Sequence, residues 1–407
     1  MSKKIKMLFD GQLLSRAFIQ KQTGIFRVCD EIFKRLAKRD DIELYFLVTN
    51  DKNGRRTEPE RYLESRGLSH LIPNIVKLPK LLMSTKTRNL YHKIYGGFLR
   101  KILPYVYGKK LKKFDVYFSP FPAISPVVKK CGVKTVSFSY DIIPILYPIF
   151  GMVYKTQSNN FTHFVRNLDS DLIFFDSKSA RDDFLRYRFP FDFNRTRVCY
   201  LAVDERFYKK SDSEIKKVAD KYHIPHKPYL LCVSEANPRK NFAHVIKSFI
   251  YYIEKTKDEN LNLVIVGKKL AGYDYLTECS DVLEKYKDRI ILTGYVDDED
   301  LPALYSGASI FMYPSLYEGF GLPLLEAMQC GIPVITADNS SLPEVGGDAV
   351  AYVSGFDVKE TANMIEKVLN DKAFSDDLIK KSLERVKLFS WDKTIEIIMN
   401  EIKKIGV

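Results

Sequence analysis

The stretch Ser309-Ile-Phe-Met-Tyr-Pro-Ser-Leu-Tyr-Glu-Gly-Phe-Gly-Leu-Pro-Leu-Leu-Glu-Ala-Met-Gln-Cys-Gly331 decides the fold of this 407-residue chain. It opens with an apolar run that Pro314 closes. Because proline cannot extend a central ladder, this predicts a strand at residues 309–313, buried on both faces. Pro323 in a first turn and Gly331 as a stop then predict a helix. A strand buried on both faces and followed by a helix is one unit of the strand–helix alternation found along the chain.

Between this strand and this helix lies Glu318-Gly-Phe-Gly321. Glycine has no side chain, so the backbone N–H groups here can approach a ligand closely. They also stand at the positive end of the helix dipole. The backbone of Gly319, Phe320, Gly321 and Leu322 is therefore predicted to bind an anion, and phosphate fits best.

Two carboxylates flank the loop, Glu318 before the glycines and Glu326 about one turn into the helix. A site for phosphate alone gains nothing from two negative charges, so we predict that they accept hydrogen bonds from the hydroxyls of a sugar and a ribose. The predicted ligand is a nucleotide sugar. In the alternative interpretation, Glu326 complements the helix dipole and Glu318 is a surface residue of the loop.

The segment Glu318-Gly-Phe-Gly-Leu-Pro-Leu-Leu-Glu326 resembles the E-x7-E signature of retaining glycosyltransferases of family 4, in particular their bacterial mannosyltransferase-like members. Ala327-Met-Gln-Cys-Gly-Ile-Pro-Val334 and Leu342-Pro-Glu344 match the same family. The resemblance implies a GT-B fold and retaining transfer of a hexose or deoxyhexose from a donor of the GDP-mannose or UDP-hexose type. It implies that Glu318 contacts the donor sugar and Glu326 the ribose diol.

The loop Glu235-Ala-Asn-Pro-Arg-Lys-Asn241 follows a predicted strand and resembles the family loop whose lysine contacts the donor diphosphate. Lys240 is thus a candidate catalytic residue, since charge develops on the leaving diphosphate. Many family members carry an arginine where this chain has Ser234, and Arg239 is the candidate to replace it. No Asp-x-Asp motif is positioned for a divalent ion, so we expect neither a metal nor another cofactor.

Two further site candidates come from the first half of the chain. Tyr140-Asp141-Ile-Ile-Pro144 resembles a family segment on the acceptor side of the cleft that usually reads His-Asp, and Asp141 is a candidate for orienting the acceptor hydroxyl. Gly24, in Thr23-Gly-Ile-Phe-Arg27, either opens a donor-facing glycine loop, as in the resembling family, or is an ordinary helix entry. Both interpretations stay open.

Strand-like and helix-like segments alternate along the whole chain, which predicts an α/β protein of two Rossmann-like, doubly wound domains facing a cleft. We predict an acceptor-binding domain at 1–205, a nucleotide-sugar domain at 206–390, and a helix at 391–407 that crosses back to the first domain. The boundary falls in the polar stretch 204–227. The predicted strands are 4–10, 42–49, 116–119, 135–140, 172–177, 198–202, 229–234, 261–267, 290–295, 309–313, 333–337 and 349–353.

The composition bears on membrane insertion, on the state of the cysteines and on the location of the protein in the cell. No apolar run approaches the roughly 20 residues that span a bilayer. The six cysteines are scattered without a Cys-x-x-Cys pair, which predicts reduced thiols and no zinc. We expect a cytoplasmic protein that also attaches peripherally to the inner face of the membrane.

The formal net charge of +13 is concentrated in one part of the chain. Residues 65–114 contain no Asp or Glu, and within about 77–113 apolar and aromatic residues recur at helical spacing beside lysines and arginines. This predicts an amphipathic helix on an anionic membrane surface. The alternative is an ordinary domain helix with solvated cations. The membrane interpretation favours a lipid-linked saccharide acceptor, in surface polysaccharide or lipopolysaccharide synthesis, over a soluble sugar or protein.

Three other classes of protein share some of these sequence features. A nicotinamide oxidoreductase is disfavoured because no G-x-G-x-x-G follows the first strand of either half. A nucleic-acid-binding protein is disfavoured because no recognised module accompanies the basic residues, and we expect no nucleic-acid partner. A non-catalytic protein of the same fold is the remaining alternative, since fold does not fix function.

Overall fold

The computed structural model describes residues 3–18, 24–50, 58–79, 108–120, 126–147, 168–234, 237–267 and 279–407. These residues build two sheets, and all neighbouring strands of the first run parallel. The first sheet has seven described strands in the order β3-β2-β1-β4-β5-β6-β7. Their bounds are β1 Ile5–Asp10, β2 Ile42–Asn50, β3 Ile75–Pro79, β4 Val116–Ser119, β5 Lys134–Ser139, β6 Leu172–Phe175 and β7 Thr196–Val198.

Two features of this sheet differ from the prediction. β3 was not predicted, because Lys77 interrupts its short apolar pattern. It lies at the sheet edge, where a lysine is tolerated, and Lys77 Nζ lies 3.1 Å from Glu60 Oε1. The strand predicted at 198–202 was wrong in position: β7 ends at Val198, and the buried residues Cys199, Leu201 and Ala202 follow it outside the sheet.

The second sheet has six described parallel strands in the order β10-β9-β8-β11-β12-β13. All six coincide with predicted segments to within two residues, because continuous apolar runs mark strands buried on both faces. Their bounds are β8 Tyr229–Val233, β9 Asn262–Val266, β10 Ile290–Gly294, β11 Ile310–Tyr313, β12 Val334–Ala337 and β13 Ala351–Val353.

Helices connect the parallel strands. In the first half they are α1 Gly24–Ala37, α2 Pro59–Ser65, α3 Pro126–Lys130, α4 Ile143–Leu146 and α5 Lys178–Tyr187. The next is α6 Asp212–Lys221, which lies inside the polar stretch 204–227 where the domain boundary was predicted and begins with a capping box between Ser211 and Glu214. The others are α7 Phe242–Thr256, α8 Ser280–Lys285, α9 Leu301–Gly307, α10 Leu322–Gln329, α11 Leu342–Gly346, α12 Val358–Asn370, α13 Lys372–Arg385 and α14 Trp391–Lys404.

Each sheet reverses its strand order once, between β1 and β4 in the first and between β8 and β11 in the second. In open parallel sheets, ligands bind outside the carboxyl ends of the strands at such a reversal. Residues 237–241, named the lysine loop for Lys240, follow β8. Residues 318–321, named the glycine loop, follow β11. The topology therefore places both loops at one expected ligand site.

Helix α14 belongs to the last part of the chain but packs on the first sheet. Arg197 Nε lies 2.6 Å from Glu401 Oε2, and Thr394 Oγ1 donates to the Tyr200 carbonyl at 2.7 Å. Its buried face adds Trp391, Ile398 and other apolar residues to a core cluster that contains residues of both halves. The domain boundary at about residue 205 stays a prediction.

The predicted amphipathic helix of the basic segment falls largely on residues 80–107, which lie outside the described residues. At its end, Leu111 and Phe114 are buried, whereas Lys109, Lys110, Lys112 and Lys113 are exposed. Within the described residues, none of the helices combines the length and apolar character needed to span a bilayer. The six cysteines are all buried and unpaired in disulfides.

Candidate functional site

The glycine loop connects β11 to α10, and its carbonyl oxygens are held from outside. The Ser341 hydroxyl donates to the carbonyls of Glu318 and Phe320 at 3.0 and 2.9 Å, and the Ser177 hydroxyl donates to the Gly319 carbonyl at 2.6 Å. Gly321 is the N-cap of α10 with φ of +104°, a conformation that favours glycine. The loop shape is therefore fixed without using the amides predicted to bind the ligand.

Those amides remain available. Among the described residues, no acceptor is hydrogen-bonded to the backbone N–H of Gly319, Phe320 or Gly321. The eight-residue helix α10 begins directly after them. A helix start with unpaired amides attracts negative charge, which is consistent with the predicted binding of an anion at this loop.

Glu318 lies between two cations at this loop. Its Oε1 accepts a hydrogen bond from Lys240 Nζ at 2.7 Å, and its Oε2 lies 2.5 Å from Arg239 Nη1. Lys240 Nζ also donates to the Tyr313 hydroxyl at 2.9 Å. The Glu318 side chain is only 7% exposed, which rules out the alternative that it is a solvated surface residue.

Burial and ion pairing act in opposite directions on this cluster. Burial alone would raise the pKa of Glu318, but Arg239 and Lys240 outweigh it and hold the pKa at about 2. For Lys240, burial dominates and lowers the pKa to about 8, although Glu318 opposes that shift. The site therefore holds an ionised carboxylate, a permanent guanidinium and a lysine whose pKa burial lowers below its ordinary value.

Asp141 brings the first half of the chain to the same loop. A Cβ atom placed on Gly319 would lie 2.9 Å from Asp141 Oδ2, so only glycine leaves room for this carboxylate. The other oxygen, Oδ1, accepts from the Ile143 amide at 3.0 Å. Burial raises the pKa of Asp141, and the nearby Arg239 opposes that rise. The structure thus brings together Asp141, Gly319 and the Glu318 cluster.

Glu326 occupies the first turns of α10 and is also buried, at 4% exposure. Its Oε1 lies 3.4 Å from Arg27 Nη1, and its Oε2 accepts from the Tyr305 hydroxyl at 3.0 Å. Burial raises the pKa of Glu326, whereas Arg27 and Tyr305 lower it. A buried carboxylate with two partners does more than complement the helix dipole.

Gly24 and Ser234, the remaining predicted donor-binding residues, lie at ends of regular elements. Gly24 is the first residue of α1, and a Cβ atom added there would meet nothing within 4 Å. Ser234 follows β8, where its amide donates to the Val266 carbonyl at 3.0 Å. Neither the glycine-loop nor the helix-entry interpretation of Gly24 is decided by this placement.

Sequence reasoning missed Arg27, Tyr305, Ser341 and Ser177 as site residues. Ser177 also caps α5, where its hydroxyl accepts a hydrogen bond from the Ala180 amide at 3.0 Å. Arg27 is 299 positions from Glu326, so no local pattern could pair them. A charged residue one turn after a candidate glycine loop was the one signal that could have pointed to Arg27.

No three His, Cys, Asp or Glu side chains in the described ranges form a group that could hold a metal ion. The prediction that the reaction needs no metal is left untested by this. The polar groups that the site does offer, namely amides, three cations and three carboxylates, suit a phosphorylated sugar.

The two parallel sheets form a fold of the GT-B class. Residues 214–385 match the family model described as "Glycosyl transferases group 1". The crystal structure of Anabaena Alr3699/HepE in complex with UDP and glucose has a TM-score of 0.70 and 18% identity, covering 98% of this chain and 100% of that one. The structure of WaaG, a glycosyltransferase involved in lipopolysaccharide biosynthesis, has a TM-score of 0.64 and 14% identity, covering 98% and 99% of the two chains. At such identities these structures show the fold.

Within this class, the chain is similar to bacterial mannosyltransferases, as the sequence resemblance predicted. It is 34% identical over 245 residues to O-antigen chain mannosyltransferase B of Escherichia coli, covering 58% of this chain and 62% of that protein. It is 30% identical over 283 residues to the serotype-specific mannosyltransferase WbdA of Escherichia coli, covering 67% of this chain and 34% of that protein. The match thus spans less than two thirds of each relative.

Proposed function

We propose that this chain is a retaining, metal-independent hexosyltransferase that moves a sugar from a nucleoside-diphosphate donor to a saccharide acceptor. The observation that carries the proposal is the buried Glu318–Arg239–Lys240 cluster beside unpaired amides at the start of α10. A diphosphate supplies the negative charge that these amides and cations attract. Ionised Glu318 accepts hydrogen bonds from the hydroxyl groups of the donor sugar.

In the proposed reaction, the bond between the anomeric carbon and the diphosphate oxygen breaks, and a bond to the acceptor oxygen forms. The acceptor proton leaves with the nucleoside diphosphate. Negative charge grows on the leaving diphosphate, so Lys240, Arg239 and the amides of Gly319–Leu322 stabilise the transition state more than the ground state. Arg239, buried against Glu318, takes the place of the arginine missing at Ser234. Retention of configuration follows from the family resemblance.

Asp141 would act on the acceptor side. Its Oδ2 lies against Gly319, so a hydroxyl that donates to it would be held next to the donor loop. The matched family and the names of the similar proteins favour mannose or another hexose as the transferred sugar. They also favour a growing surface polysaccharide, such as an O-antigen or lipopolysaccharide chain, as the acceptor.

The first test measures release of nucleoside diphosphate from a panel of sugar donors, without acceptor and then with bacterial lipid extract. We expect turnover with a GDP-hexose or UDP-hexose, and its loss in Glu318→Ala and Lys240→Ala. Glu284→Ala, which removes an exposed ion pair with Lys287, is the matched control and should turn over normally. Donor binding without turnover under any condition would favour the non-catalytic alternative.

A lipid-linked acceptor and peripheral attachment at the cytoplasmic membrane face are part of this proposal. They rest on the basic segment, of which the described end presents the exposed residues Lys109, Lys110, Lys112 and Lys113. Each lysine near an anionic surface contributes about 1 kcal/mol of attraction.

Liposome co-sedimentation tests the attachment. Binding should require anionic lipid, fall with added salt and drop when these four lysines are changed to glutamine. The matched control changes four other exposed lysines, Lys216, Lys217, Lys285 and Lys287, and alters net charge equally. If the control binds as weakly as the first variant, or if no anionic liposome is bound at low salt, a soluble saccharide or protein acceptor replaces the lipid-linked one.

A further inference from the structure

Arg27 connects the first half of the chain to the carboxylate predicted to bind ribose. It lies on α1, which packs beside the first sheet, whereas Glu326 lies on α10 of the second. The Arg27 side chain is 26% exposed and that of Glu326 is 5% exposed. An ion pair this enclosed is screened far less by water and salt than a surface pair.

The surroundings of Glu326 explain why it needs a cation. Asp204 and Asp298 both act electrostatically to raise its pKa, as does its burial. Arg27 is the first opposing charge, and the Tyr305 hydroxyl adds a hydrogen bond. Arg206, the other arginine in this region, pairs with Asp204 and Glu299 instead. Without Arg27, Glu326 would keep the Tyr305 hydrogen bond but lose the largest electrostatic contribution that opposes Asp204 and Asp298.

Glu326 has hydrogen-bond acceptor capacity beyond its contacts with Arg27 and Tyr305. An ionised carboxylate offers about four lone-pair sites, and Arg27 and Tyr305 together use two. The distance of 3.4 Å between Arg27 Nη1 and Glu326 Oε1 exceeds the roughly 2.7–2.9 Å of a tight charge-assisted hydrogen bond. Two vicinal hydroxyls could therefore bind to Glu326 while Arg27 stays in place.

We propose that Arg27 is a positioning residue that holds the Glu326 carboxylate in the orientation that binds the ribose diol of the nucleotide, and so couples nucleotide binding to contact between the two halves of the protein. Because the coupling is reciprocal, any ligand that binds more tightly to Glu326 when Arg27 is in contact also favours that contact. This inference rests on the proposed function of Glu326 in donor binding.

The test titrates UDP and GDP separately into the wild-type protein and its variants by calorimetry. Arg27→Gln should weaken binding of the preferred nucleotide about 10-fold, and Arg27→Lys should recover part of that loss because it keeps the charge. Arg197→Gln is the matched control, since this arginine also joins the first half of the chain to a carboxylate of the second, Glu401, but makes no contact with Glu326. It should stay within about 2-fold of wild type.

A double variant separates positioning from a general structural role. If Arg27 acts through Glu326, then Arg27→Gln combined with Glu326→Gln should bind no more weakly than Glu326→Gln alone. In turnover assays, Arg27→Gln should raise the donor KM while kcat changes little. Thermal melting of each variant reports separately on folding.

Three results would overturn the inference: unchanged affinity in Arg27→Gln, equal affinity in the glutamine and lysine variants, or additive losses in the double variant. The failure of the proposed function looks different. In that case neither UDP nor GDP binds the wild-type protein even at millimolar concentration, and the inference about Arg27 falls with it.

Discussion

Lys240 should take up a proton when a nucleotide binds, and the amount taken up follows from its pKa in the empty site. Burial lowers the pKa of Lys240 to about 8, from an ordinary value of 10.5, in the site without ligand. A diphosphate beside Nζ adds negative charge and should return the pKa towards its ordinary value. Nucleotide binding must then be accompanied by proton uptake. At pH 8, where about half of the empty sites lack the proton, we expect about 0.5 proton taken up per nucleotide.

The same linkage sets the pH dependence of affinity. Since the occupied site binds more protons than the empty one, affinity should fall as pH rises through 8, by about 10-fold between pH 7 and pH 9. The stability of the empty protein changes in the opposite direction. Between about pH 8 and the ordinary lysine pKa, the unfolded chain binds more protons, so the contribution of Lys240 to the free energy of unfolding rises with pH.

Calorimetry in two buffers of equal pH and different ionisation enthalpy measures the proton uptake directly. Lys240→Arg is the control, because its guanidinium stays protonated throughout this range. In that variant both the buffer dependence and the fall in affinity should disappear. The reasoning is refuted if the wild-type protein shows no buffer dependence at pH 8, or if Lys240→Arg keeps it.

Three further predictions concern stability and transfer. Glu318→Ala leaves Arg239 and Lys240 as buried cations without their carboxylate, so the free energy of unfolding in urea should fall by about 3 kcal/mol. The control Glu284→Ala should lose less than about 1 kcal/mol. Equal urea midpoints for the two variants would contradict this prediction. Gly319→Ala places a Cβ atom 2.9 Å from Asp141 Oδ2 and should lower kcat/KM about 10- to 100-fold, while Gly108→Ala, whose Cβ meets nothing within 4 Å, should not. Ile398 is 0% exposed on α14, so Ile398→Ala should lower the free energy of unfolding by about 3 kcal/mol. The neighbouring Ile397 is 38% exposed, so Ile397→Ala should lower it by less than about 1 kcal/mol. Equal losses in the two variants would mean that α14 is not held by its apolar face.

Most of the strands could be predicted from short apolar stretches of the sequence. The strands of the second sheet are buried on both faces, so each appears in the sequence as a continuous apolar run, and all six were predicted. Edge strands give weaker signals, because half-exposed positions accept polar residues. That is why β3, with Lys77 in its centre, was missed and β7 was placed too late.

The site was predictable where its residues share one loop and unpredictable where they meet only in space. Glu318, Gly319 and Lys240 stand in motifs at the ends of strands, so their proximity follows from sheet topology. The position of Arg239 against Glu318, rather than in solvent, depended on side-chain packing. The pairing of Arg27 with Glu326 depends on how the two halves dock, which no stretch of sequence encodes by itself.

The return of α14 to the first sheet bears on how the chain is made. Arg197 and Glu401 are 204 positions apart, so the partner of Arg197 emerges from the ribosome long after Arg197 itself. At about 5–20 residues per second, the delay is on the order of 10–40 s. Throughout that interval, the apolar surface that Trp391, Ile398 and Ile402 later cover is open to water. The first half of the nascent chain is therefore a natural client for a chaperone until synthesis reaches α14.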